Sequence, residues 1–342
     1  MNRRMALHIV AALASTVIGL VAIELFVRLI VDDGMQYDLE MWKYARDLKR
    51  ISDDPLIGHQ HQPSHRAKLM GVDFQTNSKG LRDREIPYAK TPEKLRVLML
   101  GDSLTVGWGV AVEDTFPKRV ERMYAANSVD VEVINAGVGN YNTIQEVEYF
   151  LTEGHKYEPD VVVLNYFIND AEPVPEHHKP SLLEETCLAC VFTIGRIDTF
   201  ARMIKTKQNW SDYYLSLYED GKATGWLNAR ENIRKLAEYC RTNGVRLLIA
   251  NLPELHDVKN YPFQKVTDLV REAANADRAE FVDLLPFVED QDSPRLWVSA
   301  SDPHPNALAH SLIAQGLFKA LGELHPQPQV SGRACGRRGS CP

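Results

Sequence analysis

The 342-residue chain is poor in the features that would place it quickly. Its five cysteines are too few and too scattered to staple a small disulfide scaffold. It has no basic excess: 39 Lys and Arg against 46 Asp and Glu give a formal net charge of −7. A general nucleic-acid binder needs a positive field to displace counterions, so that class is excluded. Eighteen prolines and 20 glycines rule out a collagen-like or low-complexity chain, and no internal repeat is present. Long apolar runs are also missing, with one exception.

That exception is Met5 to Ile23, interrupted only by His8, Ser15 and Thr16, and continued through Glu24 and Arg28 to Ile30. A helix of this length reaches across a hydrocarbon core of about 30 Å. Arg3 and Arg4 precede it and Asp32 and Asp33 follow, which predicts a cytoplasmic N-terminus and an extracytoplasmic body, periplasmic or extracellular. Val27 to Ile30 offers no small-x-small cleavage site, so residues 1–30 read as an uncleaved signal anchor, with a cleaved signal peptide as the competitor.

Residues 31–93 are polar, with little periodicity, and read as a stalk and cover. From Leu95 a new rhythm starts. Apolar runs at 95–100, 131–135, 161–166, 245–250 and 280–284 alternate with helical patterns at 113–126, 143–154, 225–242, 262–276 and 306–321. Strands that are apolar throughout belong to a parallel sheet covered on both faces. The expected fold is a flavodoxin-like three-layer α/β/α sandwich with five parallel strands over residues 94–322. It carries an inserted cap at 172–224 and a flexible tail at 323–342, and its ligands sit beyond the carboxyl ends of the strands.

Polar residues gather at those ends. Gly101-Asp102-Ser103-Leu104 follows the first strand, Asn135-Ala136-Gly137-Val138-Gly139-Asn140 the second, and Asn169-Asp170 the third. A serine at a strand-to-helix turn, near free N–H groups and a side-chain amide, suits acyl transfer, where charge develops on a carbonyl oxygen. Near the C-terminus stands Asp302-Pro303-His304. In extended chain residues i and i+2 share a side, so Asp302 would hold the imidazole of His304 while its other nitrogen faces Ser103.

These four blocks, in this order, resemble the signature blocks of the GDSL/SGNH hydrolases over roughly residues 95–322. The resemblance implies a serine nucleophile, a Ser103–His304–Asp302 triad and no metal or cofactor. It also implies an oxyanion hole of the Ser103 N–H, a block-two N–H and the Asn169 side chain. Three departures matter. The family's usual Asp-x-x-His would put Ser301 at the acid position, whereas Asp302 is one residue closer, a spacing similar to that of anchored members linked to polysaccharide modification. Asn140 stands where the second block-two glycine is usual, which leaves Gly139 or Asn140 as donor. Phe167 replaces a glycine two residues before Asn169, which should narrow the pocket.

The implied function is a membrane-anchored serine esterase acting on an acyl-ester substrate, with a carbohydrate or cell-envelope alcohol preferred. An O-acetyltransferase of a surface polysaccharide would use the same triad. A non-catalytic scaffold or glycan-binding subunit would have no need of it. Other residues have plainer readings: Asp102 orders its loop, Asp170 caps the turn after the third strand, and His310 belongs to the last helix. His177 and His178 with Cys187 and Cys190 form only a weak zinc pattern. Disulfides Cys187–Cys190 and Cys335–Cys341 are alternatives to free thiols. The cap aromatics Trp210, Tyr213, Tyr214, Tyr218 and Trp226 either stack on sugars or pack a small core.

Overall fold

A computed structural model describes residues 3–92, 94–175, 181–206, 210–219 and 223–322. The first strands in the chain form two short antiparallel pairs, β1 (Lys49–Ile51) with β2 (His59–His61), and β3 (Arg66–Leu69) with β4 (Val72–Gln75). The central sheet follows: β5 (Leu95–Leu100), β6 (Val131–Asn135), β7 (Val161–Tyr166), β8 (Arg246–Asn251) and β9 (Glu280–Asp283). All its pairings are parallel and its spatial order is β6-β5-β7-β8-β9. The chain winds outward from β5 in one direction and then returns to build the other. The switch point therefore falls between β5 and β7, where such sheets open a crevice. A last hairpin pairs β10 (Trp297–Ser299) with β11 (Asp302–Pro305).

The helices in chain order are α1 (Arg3–Phe26), α2 (Tyr37–Leu48), α3 (Ser103–Val106), α4 (Phe116–Ala126), α5 (Thr143–Thr152) and α6 (Leu182–Thr186). After them come α7 (Leu188–Thr206), α8 (Trp210–Ser216), α9 (Thr224–Asn243), α10 (Gln264–Ala276) and α11 (Ala307–Leu321). The two-residue alternation of strands divides the apolar runs into two cores. Leu98, Leu100, Ile134, Val162, Leu164 and Ile249 pack with α5, α9 and α10, while Val97, Met99, Val133, Val163 and Leu248 pack with α4 and α11. Burying each such side chain stabilises by about 1.5–3 kcal/mol, which is why both faces are covered. One helix starts later than its pattern suggested. Val112–Asp114 forms a separate 3₁₀ turn, Thr115 is extended, and Pro117 sits in the first turn of α4, where its missing N–H does no harm.

α1 runs without interruption into a π-helical turn at Val27–Val31, giving a helix long and apolar enough to cross a membrane, with none of its apolar window buried. Its end is tied to the insertion after β7. Glu24 accepts from the N–H groups of Leu188 and Ala189 at 3.0 and 2.8 Å, and Arg28 donates to the Thr186 carbonyl at 2.6 Å. A Cys187–Cys190 disulfide closes the start of α7. His177, His178, Cys335, Cys341 and the tail from 323 lie outside the described residues.

The segment between α1 and β5 is folded against the sheet. Tyr44, Leu48, Leu69, Met70 and Phe74 share a core with Val106 and Trp108. Arg82, fully buried, donates to the carbonyls of Val106 and Gly107 at 3.1 and 2.5 Å and of Val110 at 2.8 Å, so the cover holds the loop after α3. At the opposite end of β5, buried Arg96 pairs with Glu132 at 2.6 Å and donates to the carbonyls of Tyr88, Tyr157 and Pro87. Arg96→Met leaves Glu132 with Arg84, 3.4 Å away, as its remaining ion-pair partner among the described residues, and strands the carbonyls of Tyr88, Tyr157, Pro87 and Ala89. Losing one partner of a buried pair costs about 3–5 kcal/mol. A matching fall in the urea midpoint, with the m-value unchanged, is the expected result.

Candidate active site

Ser103 reaches the sheet edge because the turn after β5 is unusually tight. Gly101 has φ 153°, and a Cβ there would lie 1.9 Å from the Thr105 hydroxyl, so only glycine fits. Asp102 caps the short helix α3, accepting from Leu104 N at 2.8 Å, and Ser103 becomes its first residue. The N–H groups at such a position have no partner within the helix.

His304 arrives from 201 residues away on β11. Its Nε2 lies 2.9 Å from Ser103 Oγ, and its Nδ1 lies 2.6 Å from Asp302 Oδ1. A carboxylate facing Nδ1 places the ring proton there, leaving Nε2 to accept from the serine hydroxyl. Asp302 is fully buried, and its second oxygen accepts from Trp108 Nε1 at 2.9 Å. Burial alone pushes the Asp302 carboxyl up. The hydrogen bonds and charge of His304, with the Trp108 bond, outweigh that and hold it below the ordinary carboxylate range. Ser301 is exposed, and its hydroxyl lies 3.4 Å from that of Ser299. The extended β11 puts Asp302 and His304 on one side, and Asn306 anchors the hairpin by donating to the carbonyls of Arg295 and Trp297. The Tyr37 ring covers His304, with centroids 5.9 Å apart and planes 29° apart.

The turn after β6 is shaped by close approach. A Cβ on Gly137 would meet Val106 N at 2.4 Å, and one on Gly139 would meet the Tyr44 ring at 2.6 Å. Gly139 N–H donates to the Tyr44 hydroxyl at 2.9 Å, whereas Asn140 is exposed and left-handed at φ 66°. Asn tolerates that conformation better than most residues. Among the described residues the N–H groups of Ser103 and Asn140 have no acceptor. Asn169, half-buried after β7, uses one amide hydrogen on Asp102 Oδ2 at 3.1 Å. Asp102 thus links the first and third polar turns. Phe167 is half-buried and packs against both cores. His310 is buried in α11, and its Nδ1 accepts from Phe116 N at 3.1 Å.

Several neighbours of this constellation had no signal in the sequence. Trp108 lies five residues past Ser103 but reads there as an ordinary core residue. Tyr37, Tyr44, Lys49, His59 and His61 belong to the polar cover, whose sequence shows little periodicity. Of the cap aromatics, Tyr218 and Trp226 are buried in the main core, while Trp210 and Tyr213 are 38% and 41% exposed. Cys187 and Cys190, paired with each other, offer no thiolate to a metal.

Behind the site lies a buried group of acids. Asp170 accepts from Phe167 N at 2.6 Å, and Glu146 on α5 has neither oxygen hydrogen-bonded among the described residues. Burial first, then the charges of Asp170 and Asp102, push the Glu146 carboxyl well above its usual range.

The model of the GDSL-like lipase/acylhydrolase family matches residues 99–312. No curated protein matches the chain. Solved structures similar to it include a catalytic mutant of an acetylxylan esterase from Geobacillus stearothermophilus, at 14% identity and TM-score 0.45, covering 69% of this chain and 97% of that one. Another is the lipase/acylhydrolase from Enterococcus faecalis, at 15% identity and TM-score 0.44, covering 66% and 95%. A third is a psychrotrophic esterase from Pseudoalteromonas sp., at 14% identity and TM-score 0.43, covering 66% and 96%.

The raised Glu146 carboxyl has a measurable consequence. A folded-state pKa above the unfolded value gives stability that is full below about pH 4.3 and is lost as pH rises toward the folded value. Glu146→Gln removes that loss. Its stability relative to wild type is expected to grow by up to about 1.4 kcal/mol per pH unit above about pH 4.3, and the gain should vanish near pH 4. Urea titrations between pH 4 and 8 read this directly, and a gain that does not change with pH would count against it.

Proposed function

Because the chain belongs to the GDSL-like lipase/acylhydrolase family, whose members hydrolyse esters, we propose that Ser103, His304 and Asp302 form its catalytic triad. The observation that carries this reading is the continuous line Ser103 Oγ–His304 Nε2, His304 Nδ1–Asp302 Oδ1, ended by Trp108. His304 takes the hydroxyl proton as Ser103 Oγ bonds to the acyl carbon. The imidazolium is stabilised by Asp302, which stays ionised because its pKa is held low. The carbonyl oxygen, now negative, lies among the N–H groups of Ser103 and Asn140 and the free amide hydrogen of Asn169. Gly139 is set aside because its N–H is engaged with Tyr44. Collapse of the tetrahedral intermediate expels the alcohol, which takes the proton from His304. Water, or a second hydroxyl, then attacks the acyl-Ser103 ester by the same steps in reverse.

For the substrate we favour an acyl group on a carbohydrate or cell-envelope alcohol. Tyr213 and Trp210 present partly exposed rings on the cap, and the Tyr213 hydroxyl lies 3.4 Å from Glu172, three residues past Asn169. An aromatic face beside a carboxylate suits a polyhydroxylated ligand. The apolar N-terminal helix would anchor the enzyme with its catalytic domain outside the cytoplasm. The flanking Arg3, Arg4, Asp32 and Asp33 support that orientation, as does a disulfide suited to an oxidising compartment.

The test uses the full chain in detergent with a fluorophosphonate probe and a short-chain acyl ester. Wild type labels and turns over; Ser103→Ala does neither. Asp302→Asn keeps the fold and lowers kcat by about 10³–10⁴-fold. Equal labelling of Ser103→Ala would move the nucleophile elsewhere. Adding glycan acceptors separates transfer from hydrolysis by whether acylated acceptor accumulates.

A further inference from the structure

The cover between the N-terminal helix and the sheet grips the turn at Gly139 and Asn140. The Gly139 carbonyl accepts from Lys49 Nζ at 2.7 Å and from His59 Nε2 at 2.9 Å. Lys49 also donates to the Asn140 side-chain oxygen at 2.8 Å. On the other side of the glycine, its N–H is held by Tyr44. The Tyr44 hydroxyl in turn lies 2.6 Å from His61 Nε2, and His61 Nδ1 lies 3.0 Å from the Gly80 carbonyl. With its Nδ1 proton given to that carbonyl, His61 accepts from Tyr44, and the whole chain of bonds has one direction.

The Gly139 carbonyl and the Asn140 N–H belong to one planar peptide unit. In a trans peptide they point in opposite directions, so fixing the oxygen aims the hydrogen. Two donors on the oxygen also draw electrons from the peptide and strengthen its N–H as a donor. Lys49 forms no ion pair among the described residues; beside its acceptors it has only the face of Tyr44, 4.6 Å away. Burial pushes its ammonium down to about 7. A half-buried ammonium without a counter-ion among the described residues costs stability, and packing alone does not call for one here.

We propose that Lys49 is a positioning residue for the ester chemistry: through the Gly139 carbonyl it aims and polarises the Asn140 N–H toward the acyl oxygen. The inference rests on the reading of Asn140 as an oxyanion donor. It makes the cover segment a working part of the active site, since Tyr44, Lys49 and His59 all reach the turn from it. The acyl oxygen is nearly neutral in the bound ester and negative only in the tetrahedral state. The contribution of Lys49 is therefore made to kcat and not to substrate binding.

The experiment compares wild type, Lys49→Met, Lys49→Gln, Lys49→Arg and Ser103→Ala as full chains in detergent, on a nitrophenyl acetate ester. Rates are divided by the number of sites that a fluorophosphonate finally labels, so that misfolded molecules do not count. Lys49→Met and Lys49→Gln should lose about tenfold or more in kcat with KM changed less than about twofold. Lys49→Arg, which keeps the charge, should recover most of the loss. A kcat per labelled site within about threefold of wild type in the Met variant overturns the inference, as does a loss confined to KM. If neither the Met nor the Gln variant folds, Lys49 serves stability alone and the inference is again overturned. Failure of the esterase reading looks different: wild type and Ser103→Ala then behave alike.

Discussion

A parallel sheet covered on both faces leaves polar chemistry only one place to go. The strands β5, β6 and β7 carry side chains that are almost wholly excluded from water on either side. No residue within them can reach a solvent-borne substrate. The turns beyond their carboxyl ends escape that exclusion, and the switch in winding direction between β5 and β7 parts the helices over those turns. Ser103 and Asn169 leave the sheet at these two neighbouring strands, and Asp102 joins them with a hydrogen bond to each turn. The site is thus a consequence of where the core ends.

That arrangement has to be held against its own cost. Asp302 is charged and buried, which is tolerable only because His304 and Trp108 satisfy both of its oxygens. Glu146 and Asp170 are a different case. They sit under the same turns with no ion pair among the described residues, and burial pushes both carboxyls well above their usual range. The neighbouring acids Asp302 and Asp102 are met by donors, Trp108 on the first and Asn169 on the second.

The polar segment after the N-terminal helix does more than cover the sheet. Arg82 fastens the loop behind Ser103, Tyr37 lies over His304, and Tyr44, Lys49 and His59 meet the turn at 139–140. Glu24 and Arg28, at the end of that helix, hold the beginning of the cap. One stretch of chain thereby touches the apolar helix, the cap and three sides of the crevice. The apolar helix thus has a short covalent route to the turns that carry Ser103 and Asn140.

Much of this was legible in the residues alone. The apolar runs at 95–100, 131–135 and 161–166 coincide with strands because continuous apolarity over five or six residues has few other outcomes. The polar blocks at their ends marked the crevice, because each followed a strand in a fold whose connectivity puts those ends together. The spacing of Asp302 and His304 announced a shared side because extended chain has a period of two. The environment of Gly139 and Asn140 was different. It depends on a tyrosine 95 residues before Gly139 whose ring fills the space a Cβ would need and whose hydroxyl takes the Gly139 N–H. The contacts of Trp108 with Asp302, of Tyr37 with His304 and of Lys49 with Gly139 are likewise visible only in three dimensions. Local pattern determines which element a residue joins and which face it occupies. Which distant group completes its hydrogen bonds depends on how the elements pack, and that is a property of the folded chain.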